Sequence, residues 1–255
     1  LTDLVMGDDQ RASLYSFDLV QRRAKKPVGV PDKELARPVT KVGIVGAGLM
    51  ASQLAMLFAR RLQVPVVMTD LDQDRVDTGV GRVHADIDAL AAKGRLSADK
   101  ASRLKGLVTG STDVAAFAGA EFILEAVFED LSVKKEAFAA IEDVVSETCI
   151  LATNTSSLSV SAMASDLRHP ERVVGFHFFN PVAVMPLLEI ARAEKTDDAS
   201  LSTAFAVGKE LKKSCVLVAD APAFVVNRLL IRSLSEITRA VDEGSEFVVA
   251  DRAMN

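Results

Sequence analysis

The chain has 255 residues, 49% of them hydrophobic, with a formal net charge of −5, no Trp and a single Tyr. That length and apolar content suit a large globular core. The acidic balance, the lack of a long basic run and the scarcity of stacking aromatics exclude a nucleic-acid partner, and no apolar stretch nears the roughly 20 residues that cross a bilayer.

The N-terminus carries acidic residues where a signal peptide has its apolar segment. Leu14, Phe17 and Val20 recur at helical spacing among Arg and Lys, predicting an amphipathic helix over residues 10–26 that needs a partner surface. Pro27, Pro31 and Pro38 then mark a linker.

From Lys41 onward short apolar strands alternate with amphipathic helices, the pattern of an α/β, Rossmann-type, doubly wound and mostly parallel sheet. Strands are expected at 42–45, 66–69, 122–124, 150–152, 173–176 and 216–218. Val76, Val80, Val83, Ile87 and Leu90 form one helical stripe, Ser97 caps a short helix after it, and Leu131, Phe138, Ile141 and Val145 form another. A last long element, 224–241, follows Pro222 and is expected to open a helical second domain. The expected division is 1–40, a linker helix and Pro-rich connector; 41–221, the dinucleotide-binding domain; and 222–255, the start of a helical C-terminal domain. Beginning at Leu1 in place of Met and ending at Asn255, just after residues 247–251 start what looks like another helix, the chain is expected to be a fragment of a longer protein.

Residues 41–51, KVGIVGAGLMA, run from a strand into a helix. Gly46 can make the tight turn and Gly48 lets the backbone approach a pyrophosphate, with Leu49 and Met50 opening the helix whose N-terminus holds the phosphates. Ala51 stands where a third glycine is usual. Asp70, at the end of the second strand, is placed to accept hydrogen bonds from the adenosine ribose and to repel a 2′-phosphate, so NAD is expected over NADP.

Three histidines offer themselves as proton carriers. His84 lies beside a helical stripe and His169 in a loop, where surface and turn roles suffice. His177 ends a strand at the carboxyl edge, where α/β folds bind ligands. An alcohol that loses hydride must also lose its proton, and an imidazole can take it. Glu189 lies in an apolar, strand-like stretch where an unpaired acid is costly; it either pairs with His177 or points outward from an edge strand. Residues 153–157, TNTSS, offer hydroxyls to a substrate alcohol or to a nicotinamide amide, and equally suit a helix cap. Ser156 lacks the Gly-x-Ser-x-Gly setting of a hydrolase nucleophile. Cys149 and Cys215 have no CxxC neighbour and lie in apolar runs that predict buried strands, so they are expected to stay reduced, which favours the cytoplasm.

With GAGLMA at 46–51, EAVFE at 125–129 with Lys134 downstream, NTSSL at 154–158, GFHFFNP at 175–181 and FVVNR at 224–228, the sequence resembles the L-3-hydroxyacyl-CoA dehydrogenase family from Lys41 to its end. The resemblance implies NAD-dependent oxidation of (S)-3-hydroxyacyl-CoA to 3-ketoacyl-CoA. It further implies that His177 is the base and Glu189 its partner, that Ser156 bonds the reacting 3-oxygen, and that Asn227 helps hold the acyl-CoA substrate. Met50, Asp70, Val127, Phe128, Glu129, Lys134, Ser156 and Asn180 match positions lining the family's NAD site; without the resemblance, Glu129 and Lys134 would be placed on a helix surface. Residues 1–40 look like the segment joining an enoyl-CoA hydratase domain to this dehydrogenase in fused fatty-acid oxidation multienzymes. That implies a fused upstream hydratase, a thiolase subunit as a further partner, and a homodimer in the intact protein. The family completes a helical C-terminal domain of which about the first helix is expected here. Two other functions stay open: NAD binding without catalysis, and a related reductase acting on a free hydroxy acid without CoA.

Overall fold

The computed structural model describes residues 7–25 and 27–254. Helix α1 (Asp8–Lys25) carries Leu14, Phe17 and Val20 exposed, as an amphipathic helix with an uncovered face; the expected end at residue 26 lies outside the described residues. The connector is no free linker. The Arg37 amide donates to Thr203 Oγ1 at 3.0 Å, its guanidinium to Ser200 Oγ at 3.0 Å, and Ser202 Oγ to the Asp32 carbonyl at 2.8 Å.

The alternating units follow as β1 (Val42–Val45), α2 (Leu49–Leu62), β2 (Val66–Thr69), α3 (Gln73–Ala92), α4 (Ala98–Leu107) and β3 (Val108–Ser111). After them come β4 (Phe122–Glu125), α5 (Leu131–Glu142), β5 (Ile150–Thr153), α6 (Val160–Ala164) and β6 (Val173–Phe178). The chain then forms β7 (Leu187–Arg192), α7 (Asp198–Glu210), β8 (Ser214–Ala219), α8 (Val226–Asp242) and α9 (Phe247–Met254). The strands make one eight-stranded sheet in the order β3-β2-β1-β4-β5-β6-β7-β8. The first six run parallel; β7 is antiparallel to β6, and β8 is parallel to β7.

β1, β2, β4 and β5 are buried at every residue, which is why they read as unbroken apolar runs in place of alternation. Two apolar clusters cover the two faces of the sheet, one built around Leu54, Phe58 and Phe176, the other around Phe138, Ile141 and Leu151. The strand order reverses between β1 and β4, so the crevice at their carboxyl ends is where such a sheet takes a ligand.

Several expectations need correction. Strand β3, VTGS, has one buried residue and so no apolar run to reveal it. Helix α7 is buried on most sides by Ser, Thr, Ala and Gly, which erases the apolar stripe. Leu131 opens α5 exposed, and Val145 lies beyond its end. The C-terminal part holds α8 and then α9, which begins at Phe247 as the run 247–251 suggests.

Candidate active site

The loop after β1 is shaped for a phosphate. Gly46 has φ +107°, and a Cβ there would sit 2.8 Å from the Ala126 carbonyl, so both backbone and space demand glycine. Gly48 is the N-cap of α2 and makes no side-chain cap bond, whereas Asp or Ser side chains cap α3 through α7. The first amides of α2 are therefore left for an external acceptor. A Cβ at position 48 would meet nothing within 4 Å, so the space above the loop is open. Below it, Gly79 of α3 packs so tightly on Ala47 that a Cβ would fall 2.7 Å from it. Ala51 is wholly buried without disturbing α2. Asp70 follows β2, with Oδ2 accepting the Ala47 amide at 2.8 Å and Oδ1 the Leu71 amide at 2.8 Å. These residues fit an NAD pyrophosphate and adenosine ribose.

His177 and Glu189 face each other in the β6–β7 register, which sets their side chains on one face of the sheet. His177 Nδ1 lies 2.8 Å from Glu189 Oε2. Glu189 is 0% exposed, and β8 covers β7, so the outward-facing alternative is overturned. Burial pushes the Glu189 carboxyl up, but the His177 bond and the amides of Val226 and Val225 outweigh it and hold its pKa below the usual value. Those amides reach Oε1 at 3.0 and 3.1 Å, where the N-terminal end of α8 favours negative charge. An ionised carboxylate only accepts, so Nδ1 carries the proton and Nε2 of the neutral ring is left as a base. The rings of Phe179 and Phe224 flank the imidazole at 4.6 and 5.7 Å. Ala223 and Phe224 are left-handed, at φ 61° and 45°, a strained approach to α8.

Lys134 is 1% exposed, not the surface residue its helix would suggest. Its Nζ lies 2.7 Å from Glu125 Oε1 and 3.3 Å from Glu129 Oε2. Glu125, at the end of β4, also accepts the Val127 amide at 2.7 Å and Thr153 Oγ1 at 2.6 Å. Glu129 Oε1 accepts Thr155 Oγ1 at 2.6 Å and the Ser156 amide at 2.8 Å. Burial raises the Glu129 carboxyl, and the Thr155, Ser156 and Lys134 contacts together bring it below its usual value. Residues 153–157 thus spend Thr153 and Thr155 on carboxylates, and the cap of α6 is Ser159.

A cleft of about 320 Å³ joins these parts. Ser156, His177, Lys134, Glu129 and Asn180 line it, with Met50 of α2 and Val127. Leu49 and Phe128 are exposed outside that lining, and Asn227 stands at its edge with Nδ2 3.5 Å from the Ser156 carbonyl. His84 sits 3.3 Å from the Lys105 carbonyl and His169 caps a short turn, so neither joins the cleft. Among the described residues no group of three or more His, Cys, Asp or Glu is placed to hold a metal, and no helix is long and apolar enough to cross a membrane.

Sequence reasoning missed Glu125, Gln53, Asn154 and the aromatic flank of His177. Glu125 had a signal, an acid closing an apolar strand that is buried on both faces. Gln53 and Asn154 had none, since both act on backbone amides, Gln53 on Val182 in the loop after β6 and Asn154 on Phe178 at the end of β6.

A mostly parallel sheet with an open glycine turn, an acid after β2 and a buried His/Glu pair across β6 and β7 defines a nucleotide-dependent dehydrogenase domain. The family "3-hydroxyacyl-CoA dehydrogenase, NAD binding domain" matches residues 41–221, and the chain belongs to the 3-hydroxyacyl-CoA dehydrogenase family. NAD is the cofactor of this domain. The chain is 34% identical over its whole length to the peroxisomal fatty acid beta-oxidation multifunctional protein MFP2 of Arabidopsis thaliana, spanning 35% of that protein. It is 35% identical over 95% of its length to the fatty acid oxidation complex subunit alpha of Pseudomonas syringae pv. tomato, spanning 33% of it. The chain therefore covers about a third of the length of these relatives. The crystal structure of (S)-3-hydroxybutyryl-CoA dehydrogenase PaaH1 from Ralstonia eutropha superposes with a TM-score of 0.77 at 34% identity, over 81% of this chain and 73% of that one.

Proposed function

We propose that this chain is the dehydrogenase segment of a fatty-acid β-oxidation multienzyme and supports NAD-dependent oxidation of (S)-3-hydroxyacyl-CoA to 3-ketoacyl-CoA. The observation that carries this is the His177–Glu189 pair, buried behind the same cleft that the dinucleotide loop adjoins. Glu189 holds Nδ1–H, so His177 takes the hydroxyl proton at Nε2 and shares the resulting positive charge with Glu189. Ser156 donates to the reacting oxygen, and Asn227 steadies the thioester side of the substrate. NAD, when bound, accepts the hydride from C3. Gly46, Gly48, Leu49, Met50 and Asp70 hold its adenosine and phosphate half. Val127, Phe128, Glu129, Lys134, Ser156 and Asn180 hold the half that reacts.

Residues 1–40 would join an upstream enoyl-CoA hydratase domain, 41–221 bind NAD, and 222–255 begin the helical substrate and dimerisation domain. A thiolase subunit and a second copy of the intact protein are the further partners, in a cytoplasmic setting that suits two buried thiols. A second function, NAD binding without turnover, is favoured by one observation: Leu229, Leu230 and Ile231 of α8 are more than half exposed beside the proposed substrate side.

The test is NADH formation from (S)-3-hydroxybutyryl-CoA by a protein containing this segment, with and without His177→Ala. Turnover should fall by about 10²–10⁴-fold with little change in NAD affinity. Full activity of the variant would sink the assignment of the base. NAD binding by calorimetry with no NADH formed by the present chain would favour the second function for it.

A further inference from the structure

Helix α2 reaches the cleft through Met50, and Gln53 follows one turn on along the same helix face, behind the cleft wall. Gln53 Oε1 accepts the Val182 amide at 2.9 Å, and its Nε2 donates to Asn180 Oδ1 at 3.2 Å. The backbone N–H of Val182 can only donate, so it fixes which end of the Gln53 amide is oxygen. The nitrogen must then face Asn180, and Asn180 must answer with its own oxygen. Asn180, in the cleft wall, is left with its Nδ2 hydrogens for whatever the cleft binds.

We propose that Gln53 is a positioning residue that sets the polarity of Asn180, making it a hydrogen-bond donor toward the nicotinamide half of the dinucleotide. The inference rests on the dehydrogenase function proposed above. Gln53 ties the helix that receives the phosphates to the loop that leaves His177, so one side chain registers both halves of the ligand against each other. Being only half buried, it is replaceable without opening the core.

Calorimetry on the 255-residue chain with two probes tests this. ADP carries only the adenosine and phosphate half; NADH carries both. In Gln53→Ala, ADP affinity should stay within about twofold while NADH affinity falls about 3- to 10-fold, the size of one hydrogen bond. In Gln53→Glu both oxygens accept. The Val182 amide stays protected from hydrogen exchange, but Asn180 must turn its NH₂ to the carboxylate and show Oδ1 to the cleft. NADH affinity should then fall by about 10-fold or more with ADP still unaffected. In Gln53→Ala the Val182 amide should exchange faster. NADH affinity unchanged in both variants, or an equal fall for ADP, would overturn this inference alone. A wild-type chain that bound neither probe would overturn the dinucleotide function, and this inference with it.

Discussion

His177 and Glu189 are direct cross-strand partners in the antiparallel pairing of β6 and β7, so sheet register, and not a loop, holds them in contact. Glu189→Gln keeps the shape of that contact and removes the charge. Turnover in a protein containing this segment should fall by about 10²–10⁴-fold, with the KM for NAD little changed. Steady-state kinetics at saturating NAD separate the two. A variant with full turnover would show that the charge on Glu189 does not assist the base.

The same acid makes stability depend on pH. Glu189, Glu142 and Asp220 all lie below their usual values: burial opposes this in each, and hydrogen bonds, chiefly from His177, from the Arg168 amide and from Ser161, overcome it. A carboxyl with a lowered folded pKa binds fewer protons folded than unfolded. Its contribution is complete above the ordinary glutamate value of 4.5 or aspartate value of 3.8 and is lost as pH falls through the lower folded value. Urea unfolding should therefore show stability flat above about pH 5 and declining below about pH 4.5. In Glu189→Gln the decline should be shallower by one group's worth.

Removing Glu125 leaves the buried Lys134 ammonium with only the farther Glu129 carboxylate, at 3.3 Å. Glu125→Leu should destabilise the chain by about 3–5 kcal/mol. Lys134→Met added to it should recover much of that loss, because the stranded charge goes too. Chemical denaturation of the single and double variants decides, and an equal or greater loss in the double variant would refute the coupling.

Gly46 and Gly48 should behave differently although they share one turn. Gly46→Ala forces a side chain into the left-handed region, at a cost of about 1–2 kcal/mol, and against the Ala126 carbonyl. Its melting temperature should drop. Gly48→Ala has open space in the free protein and should cost at most about 1 kcal/mol of helix capping. That variant should fold yet bind NADH about 10-fold more weakly. Thermal melts beside NADH titrations would expose any reversal of this order.

What was legible in the sequence was whatever burial writes in apolar runs. β1 and β2 were delimited by residue because both faces of a parallel strand are covered, whereas β3 and α7 bury too little, or too evenly, to leave a pattern. Gly46, Gly48 and Asp70 were readable because glycine and an acid at those positions answer a backbone requirement. Glu189 was ambiguous because composition does not give strand pairing; only the antiparallel return of β7 under the cover of β8 decides its direction. Lys134 was hidden for a related reason. A lysine on an amphipathic helix looks solvated until the strand-end acid that buries it is placed 2.7 Å away.

The segment between α1 and β1 has a mechanical consequence. Arg37 and Asp32 are fastened to α7, and the amides of Thr40 and Lys41 to the Glu121 carboxylate at 2.8 and 3.0 Å. Such a segment works as a bracket and not as a hinge. A pull on α1 is therefore met by α7 and by Glu121 at the foot of β4 before it reaches β1.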